Sequence, residues 1–409
     1  MKFQLTKGHN IQIAGVPKRE IVSSGNLEKV ALKPSEFRGI KPKLLVKKGE
    51  SVKTGQPLFF DKKNPDVSFA SPGCGAVSAI NYGPKRIINS IEITLKGNES
   101  IQHESVRSHE IYSLDRGAII SKILAGGLWP VIKQRPFNAI ADPKATPRAI
   151  FISGYNSAPL TVDLDLALSE QTGPFQTGLN VLRRMTDGYV HLTVPEGTVS
   201  ETLVNAEGVR IHYVKGPHPA GNVGIQIHHI DPLNPGETIW TISAQHVVTL
   251  GSFFTTGNYD PSMVISIGGP AVKNPTHING RTGMQISDLV MDRLHDGDSR
   301  IVSGDVLTGT KIEPLEFIGY YDSSVSVIPN SDDREFLGLL RMGNSHSRYS
   351  LTNAFCSSNT EGYHFSTKAS GALRPMVPID TWENVLPMDI YPNALYRAIL
   401  ACDFEEMEE

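Results

Sequence analysis

Short apolar runs separated by glycine turns dominate the chain from residue 44 to residue 77. The pairs Gly49-Glu50 and Gly55-Gln56, and then Gly73, interrupt these runs. Glycine tolerates the positive φ angle of tight turns, so each position predicts a turn between short strands. Strand-like segments continue to about residue 98, and the pattern therefore predicts a first β domain over residues 1–99.

The same stretch resembles the barrel-sandwich hybrid, or biotinyl/lipoyl, family. Carrier members of that family attach biotin or lipoate to a lysine at a hairpin tip. Here the tip falls near Lys62 and Lys63, and Pro65 stands about where that lysine would be. We therefore expect a barrel-sandwich module without a biotinylated or lipoylated lysine.

Apolar spacing changes after residue 99 and predicts a Rossmann-like α/β domain over residues 100–257. Ser113 is placed to cap a helix that ends at Gly126-Gly127. Alternating strands and helices then suit one half of a parallel sheet. The predicted strands cover residues 149–152, 190–194 and 209–214, and the predicted helices cover residues 175–185 and 199–206.

The last part of the chain predicts a small β-grasp domain and a partly helical end. Over residues 258–330, strands surround one amphipathic helix, ISDLVMDRLHDG. Residues 331–409 are irregular until a helix that follows Pro392. The acidic, uncapped end at Glu409 indicates a chain cut inside a helical region. The fold class is thus multidomain α+β.

Composition narrows the class of protein. The 409 residues carry 20% charged residues and a net charge of −3, which gives no electrostatic case for nucleic acid. Cys74, Cys356 and Cys402 lie far apart, which favours a reducing compartment and disfavours a cysteine-ligated metal site. No run of apolar residues is long enough to span a bilayer. We expect a cytosolic protein, or one that docks onto a membrane assembly without crossing the bilayer.

One loop stands where a Rossmann-like sheet would place its ligand. Gly126-Gly127-Leu128-Trp129-Pro130 lets backbone approach a flat ligand, and Lys133, Arg135 and Phe137 follow with charge and a ring. The alternative is a helix C-cap and a turn. No G-x-G-x-x-G fingerprint follows a strand here.

Three weaker motifs favour structural roles. Residues 304–311 nearly spell a phosphate-binding loop, but the lysine and threonine are reversed, so we predict a β-turn. His228 and His229 are assigned to a strand, where adjacent side chains point to opposite faces and cannot share one ion. His218, held between two prolines, is either a stiffened imidazole or part of a solvated turn.

The order of these parts resembles one redox lineage, which includes the flavin-and-cluster NADH subunit of respiratory complex I and the C subunit of the Rnf complex. Within it, the chain most resembles the family of the A subunit of the sodium-translocating NADH:quinone oxidoreductase. The stretches that carry this resemblance are KGHNIQIAG, FDKKNP, GLWPVIKQRPF, GPHPAGNVG, SGDVLTGT and MVPIDTWENVLPMD.

The chain departs from its cofactor-binding relatives at three places. The flavin loop GGAGFPT is replaced by AGGLWP, and residues 153–159 supply no carboxylate near a nicotinamide. The positions of the cluster cysteines hold Met376, Ile379, Trp382 and Leu386, and a cluster needs thiolates. The resemblance thus implies no flavin, iron–sulfur cluster or other metal on this chain, and no catalytic residues. The flavins and the cluster would lie on partner subunits.

The resemblance implies a peripheral subunit on the cytoplasmic face of the membrane. The complex would pass electrons from NADH to ubiquinone and export sodium, and this chain would serve the ubiquinone step without being catalytic alone. The alternatives are a pure scaffold or a retained flavin or nicotinamide site. We expect Phe137→Ala to weaken a quinone-site inhibitor about tenfold without affecting folding. The expected quinone-binding residues are Gly126, Gly127, Trp129, Arg135, Phe137, Leu32 and Phe37.

Overall fold

The computed structural model describes residues 1–331, 362–368 and 380–408. Most of the described chain belongs to four sheets and the helices that pack on them. The strands are β1 (Lys2–Gln4), β2 (Ile21–Ser23), β3 (Lys29–Leu32), β4 (Pro42–Leu44), β5 (Ser51–Val52), β6 (Pro57–Asp61), β7 (Asn64–Ala70), β8 (Gly75–Tyr82), β9 (Ile88–Leu95), β10 (Lys133–Arg135), β11 (Ala139–Ile140), β12 (Ala149–Ser153), β13 (Val190–Pro195), β14 (Arg210–Lys215), β15 (Ile239–Ser243), β16 (Ser262–Gly268), β17 (Thr276–Arg281), β18 (Ser299–Ser303), β19 (Thr310–Ile312) and β20 (Ser324–Pro329). The helices are α1 (Arg116–Ala125), α2 (Leu164–Ala167), α3 (Thr172–Arg183), α4 (Glu201–Val204), α5 (Val223–Ile230), α6 (Ala244–Thr256), α7 (Ile286–Val290), α8 (Thr381–Val385), α9 (Pro392–Ala401) and α10 (Phe404–Glu408).

The first domain is a barrel-sandwich of two small sheets, with strand orders β3-β9-β8-β5 and β4-β6-β7. Its core is aromatic, since the buried rings of Phe59 and Phe69 stack 4.2 Å apart. The predicted hairpin tip is confirmed, because Asp61 pairs with Asn64 and leaves Lys62 and Lys63 in the turn. The module predicted from the glycine turns is therefore present.

The second domain contains a sheet with the order β1-β14-β13-β12-β15-β10-β11. Strands β1, β14, β13, β12 and β15 are parallel, as a Rossmann-like half requires, and β10 and β11 extend the sheet antiparallel. The predicted cap of α1 is wrong by two residues. Asp115, rather than Ser113, accepts the backbone N–H of Ala118 at 2.7 Å, because an ionised carboxylate is a strong acceptor at a helix N-terminus.

The β-grasp domain is built on a six-stranded sheet with the order β19-β18-β20-β16-β17-β2. The helix predicted over ISDLVMDRLHDG is shorter than expected, because α7 ends at Val290. Met291 leaves the helix with an extended ψ of 131°, and Asp292 has a φ of +59°. The apolar spacing of this segment therefore overestimated the length of the helix.

The first strands of the chain join the other two domains. β1 pairs in parallel with β14, and β2 pairs in parallel with β17. The barrel-sandwich sheets begin only at β3. The boundaries 1–99, 100–257, 258–330 and 331–409 stay a prediction, but residues 1–23 add strands to the second and third domains.

The described C-terminal residues include the helix predicted after Pro392, which is α9. The segment between α8 and α9 rests on the α/β domain, where Leu386 and Met388 pack near Phe3 and Tyr155. None of the helices in the described ranges is long and apolar enough to cross a membrane. Met376 and Ile379, which occupy predicted cluster positions, and Cys356 lie outside the described residues.

Candidate functional site

A crevice of about 610 Å³ lies at the carboxyl ends of the parallel strands. Ser153 at the end of β12 and Ser243 at the end of β15 both line it. The strand order reverses between these two strands, since β13 and β14 continue on one side and β10 on the other. Open α/β sheets bind ligands outside the carboxyl ends of their strands at such a reversal. This crevice is therefore the candidate functional site.

The facing wall of the crevice comes from the β-grasp domain and the C-terminal segment. Met263 in β16, Asp305 and Thr308 in the turn after β18, and Met388 before α9 all line it. Apolar side chains from several elements, among them Val162, add a surface on which a flat ring can pack. The site is thus shared between domains.

Two cations project from β10 into the crevice. Lys133 and Arg135 are two residues apart on a strand, so their side chains share one face. Burial, followed by the charge of Arg135, lowers the pKa of Lys133 to about 8, and burial also lowers the pKa of Arg135. Across the described ranges, neither side chain makes a hydrogen bond or an ion pair, and the buried Nε of Arg135 has no partner. Both residues are half-buried, and cations that are partly withdrawn from water are normally paired, so this pair indicates a ligand with acceptor oxygens.

Tyr321 and His246 surround Lys133. The Nζ atom of Lys133 lies 3.4 Å from the centroid of the Tyr321 ring, and the Tyr321 hydroxyl donates to the Pro130 carbonyl at 2.7 Å. The Nδ1 atom of His246 is 2.9 Å from Ser243 Oγ. Burial, followed by the charge of Lys133, lowers the pKa of His246 to about 4. The imidazole is therefore neutral near pH 7 and adds no third positive charge.

The start of α5 also opens onto the crevice. Val223, Gly224 and Ile225 line it, and the preceding Asn222 makes no side-chain capping bond. The first N–H groups of a helix have no partner within the helix, and this end carries the positive pole of the helix dipole. Together with Lys133 and Arg135, this adds positive potential to the lining of the crevice.

The two glycines predicted to contact a ligand lie instead in packed interior. α1 ends at Ala125, and Gly127 has a φ of +65°, which corresponds to the C-cap and turn alternative. A Cβ atom on Gly126 would lie 2.4 Å from the Phe253 ring, and one on Gly127 would lie 2.9 Å from the backbone N of Ala70. These glycines allow close contact within the protein and leave no space for a ligand against them.

Trp129, Leu32 and Phe37 are also part of the core. Trp129 is 0% exposed, its Nε1 donates to the Ala141 carbonyl at 2.7 Å, and its ring meets Trp240 edge-on at 5.4 Å. Leu32 and Phe37, from the barrel-sandwich domain, are equally buried. None of the three is among the described residues that line the crevice. An effect of Trp129 on ligand binding without an effect on folding does not fit this burial.

Arg135 and Phe137 have different environments. Arg135 lines the crevice, whereas Phe137 is 71% exposed and lies outside it. The carbonyl of Phe137 accepts a hydrogen bond from Arg38 at 3.1 Å. Of the seven residues predicted to bind quinone, Arg135 lines the crevice and the other six do not. Lys133, whose charge was noted in the sequence, lines the crevice as well. No sequence pattern placed Tyr321, His246 or the start of α5 at this crevice, because they come from distant elements.

A second cavity, of about 740 Å³, lies at the opposite ends of the strands. His191 and His212 meet there, with Nδ1 of the first 2.9 Å from Nε2 of the second. Of its two arginines, Arg148 is already paired with Asp231 at 2.6 Å and with Glu237 at 2.9 Å, and the Arg210 guanidinium lies 3.1 Å from the centroid of the Tyr189 ring. Its position at the amino ends of β13 and β14 and this pairing make it the weaker candidate, although it is larger.

The other motifs have structural roles. His228 and His229 lie on α5, so their assignment to a strand is wrong; the segment follows the Asn222 N-cap and continues as helix. The turn predicted at residues 304–311 is confirmed, since Asp305 accepts the N–H groups of Leu307 and Thr308.

His218 is partly buried, and its Nδ1 is 3.0 Å from Ser157 Oγ. Within the part of the chain that the structure describes, no three His, Cys, Asp or Glu side chains are grouped to hold a metal ion.

Comparison with known proteins identifies the family. Residues 3–96 match the NqrA N-terminal barrel-sandwich hybrid domain, residues 114–259 the NqrA second alpha/beta domain, and residues 264–313 the NQRA C-terminal domain. The chain is 37% identical over 411 residues to the A subunit of the Na(+)-translocating NADH-quinone reductase of Serratia proteamaculans, covering 99% of this chain and 91% of that one. The chain belongs to the NqrA family, the A subunits of this reductase.

Further members of the NqrA family are similarly close. The proteins from Marinomonas sp. and Pseudomonas aeruginosa are 35% and 36% identical, over 100% and 98% of this chain and 91% and 90% of theirs. A solved NAD+-reducing nickel–iron hydrogenase aligns with a TM-score of 0.38 at 12% identity, covering 64% of this chain and 59% of that one, which is too low to carry an argument. The family matches confirm the three domains of the fold class predicted from sequence, and α8, α9 and α10 form its helical end.

Proposed function

We propose that this chain is a peripheral subunit of a sodium-pumping NADH:ubiquinone oxidoreductase, on the cytoplasmic face of the membrane. It assembles with the other subunits of the complex, contacts the membrane through them, and serves the ubiquinone-reduction step. Its relatives carry the name of the A subunit of the Na(+)-translocating NADH-quinone reductase. The isolated chain is not catalytic in this proposal.

The observation that carries the proposal is the pair of cations in the crevice, neither of which has a hydrogen bond or an ion pair within the described residues. A quinone ring is flat and has two carbonyl acceptors, and it suits a cleft with apolar walls and few donors. Lys133 and Arg135 supply the donors, and Met263 and Met388 lie among the apolar lining. Of the residues first expected to bind quinone, Arg135 remains in the proposed site.

We further propose that this chain holds no flavin or iron–sulfur cluster, and that these lie on partner subunits. The support is local packing: the backbone at Gly126 and Gly127 lies against Phe253 and Ala70, where relatives that bind flavin have their flavin loop. In addition, Trp382 and Leu386, at two of the cluster-ligand positions, are not thiolates.

A scaffold without a small-molecule ligand is the second candidate function. The burial of Trp129, Leu32 and Phe37 favours it, because these residues pack the domains together. The exposed apolar side chains of the helical end, such as Tyr391 and Leu400, would then serve only to bind partner subunits.

Calorimetric titration of the purified chain with a short-tailed ubiquinone analogue tests the proposal. We expect binding by the parent and about tenfold weaker binding by Arg135→Met, since a charge-assisted hydrogen bond contributes about 1.5–3 kcal/mol. Arg107→Met is the matched control, because Arg107 is exposed and lies outside the crevice.

Different results would contradict the quinone site and the proposed absence of flavin. An absence of analogue binding would favour the scaffold. A flavin band in the visible spectrum of the purified chain would instead favour a retained flavin site.

A further inference from the structure

The crevice contains more positive charge than the binding of a neutral ligand requires. Lys133 and Arg135 lie side by side on β10, and each repels the other in a partly dry environment. A neutral carbonyl accepts a hydrogen bond but does not neutralise either charge. An anionic oxygen does both, and hydrogen bonds to ionised acceptors are about twice as strong as neutral ones.

We propose that the crevice selects the anionic form of a quinone-like ring, with its negatively charged oxygen between Lys133 and Arg135. This inference rests on the proposed quinone function and specifies the chemical class of ligand. The start of α5 contributes in the same direction, because the free N–H groups at Val223 and Gly224 open onto the same crevice.

The carboxylates near the two cations are occupied elsewhere. Asp305 accepts the Thr308 hydroxyl at 2.7 Å as well as backbone N–H groups in its own turn. Asp322 accepts the Ser303 hydroxyl at 2.7 Å, and Glu36 pairs with Lys33 at 2.6 Å. No carboxylate among the described residues forms an ion pair with either cation. Asp322 and Glu36 act on Lys133 only from a distance and oppose the lowering of its pKa, so the position in direct contact with the cations is left for an anionic ligand.

Two naphthoquinones of nearly the same shape but different charge test whether the crevice selects an anion. Lawsone is a hydroxynaphthoquinone that is an anion at neutral pH, and its methyl ether is neutral with almost the same outline. We expect the parent chain at pH 7 to bind lawsone at least about tenfold more tightly than the ether, which corresponds to one charge-assisted hydrogen bond. The short-tailed ubiquinone analogue is titrated in parallel.

Substitution of Lys133 and Arg135 tests whether the preference for lawsone over the ether arises in the crevice. Arg135→Met and Lys133→Met should each reduce the preference for lawsone over the ether, and the double variant should abolish it. Arg107→Met and Lys48→Met, at exposed positions outside the crevice, should leave it unchanged. Thermal unfolding of each variant shows whether it has folded, so a loss of binding is not confused with a loss of structure.

A pH series gives an independent readout. The preference should decline as pH rises above about 8, because Lys133 then loses its proton while lawsone stays ionised. Arg135 stays charged over this range, and His246 is already neutral. The other ionisable groups that face Lys133 are Tyr321, Asp322 and Glu36, with Asp305 on the crevice wall.

The outcomes distinguish the inference from the proposed function. Equal affinities for lawsone and the ether, together with binding of the ubiquinone analogue, would overturn anion selection and leave the quinone site standing. Binding of none of the three would overturn the quinone site itself. A preference for lawsone that survives in the double variant would overturn the assignment to Lys133 and Arg135.

Discussion

Residues 126–132 and residues 133–135 are neighbours in sequence but have opposite environments. The first group lies in a dry core, where Trp129 is fully buried and Gly126 packs against Phe253. The second group places Lys133 and Arg135 in a crevice, where no carboxylate of the described residues pairs with either charge and Lys133 lies over the Tyr321 ring. The Gly-Gly-aromatic-Pro motif thus connects domains, and the less conspicuous strand after it carries the candidate site.

The largest expected difference between the two regions concerns stability. Trp129→Ala should lower the free energy of unfolding by about 3–5 kcal/mol, because it empties core volume and leaves the Ala141 carbonyl without its donor. Urea denaturation measures this loss. Trp382→Ala, at a side chain that is 38% exposed, is the control and should cost about 1 kcal/mol or less. Similar losses at both positions would mean that the loop is not core.

The second prediction concerns the cost of the unpaired cation. The pKa of Lys133 is lowered from 10.5 in the unfolded chain to about 8, so the unfolded state binds more protons between these values. Stability of the ligand-free chain should therefore rise with pH above 8, by at most about 1.4 kcal/mol per pH unit from this group. Urea midpoints of the parent and Lys133→Met at pH 8 and pH 10 isolate the effect. An identical pH dependence in both chains would mean that Lys133 is not desolvated.

The third prediction examines the turn at the end of α1. Gly127→Ala should cost about 1–2 kcal/mol, since its φ is +65° and an added Cβ would meet Ala70. Gly173→Ala in α3 is the matched control, because a Cβ there meets no atom within 4 Å. Thermal unfolding compares the two. A neutral Gly127→Ala variant would indicate that the loop can open toward a ligand.

The smallest expected effect is at Phe137. Phe137→Ala should change the free energy of unfolding by less than about 0.5 kcal/mol, since its ring is exposed. Binding of the ubiquinone analogue should change less than about twofold, in contrast to the tenfold effect that the sequence suggested. A tenfold weakening in calorimetry would extend the site beyond the crevice to this ring.

The sequence predicted the fold well where local patterns determine the structure. The strands Ala149–Ser153 and Val190–Pro195 are buried on both faces. The first reads as a continuous apolar run, and the second places His191 and Thr193 between apolar residues. The pairing of distant strands could not be predicted from the sequence, because β1 and β2 are too short to indicate which sheets they join. Adjacent histidines on α5 were assigned to a strand for a related reason, since a short apolar stretch fits both periods.

The candidate site was only partly predictable, because its chemistry depends on which charges remain unpaired. Arg135 and Lys133 were visible as cations, but any nearby carboxylate could have neutralised them. Asp322 accepts the Ser303 hydroxyl and Glu36 pairs with Lys33, so neither forms an ion pair with Lys133, although both oppose the lowering of its pKa; this arrangement is a property of the tertiary structure. Trp129 was misleading, since an aromatic after two glycines is compatible with both a core and a ligand loop.

The most direct test of the account is a crystal structure of the chain soaked with a brominated quinone analogue. The account predicts that the anomalous signal of bromine lies in the crevice bounded by β10, the start of α5 and β16, with a ring oxygen within hydrogen-bond distance of Arg135. Bromine against residues 126–129, or in the cavity at the opposite ends of the strands with no ligand in the crevice, would contradict it.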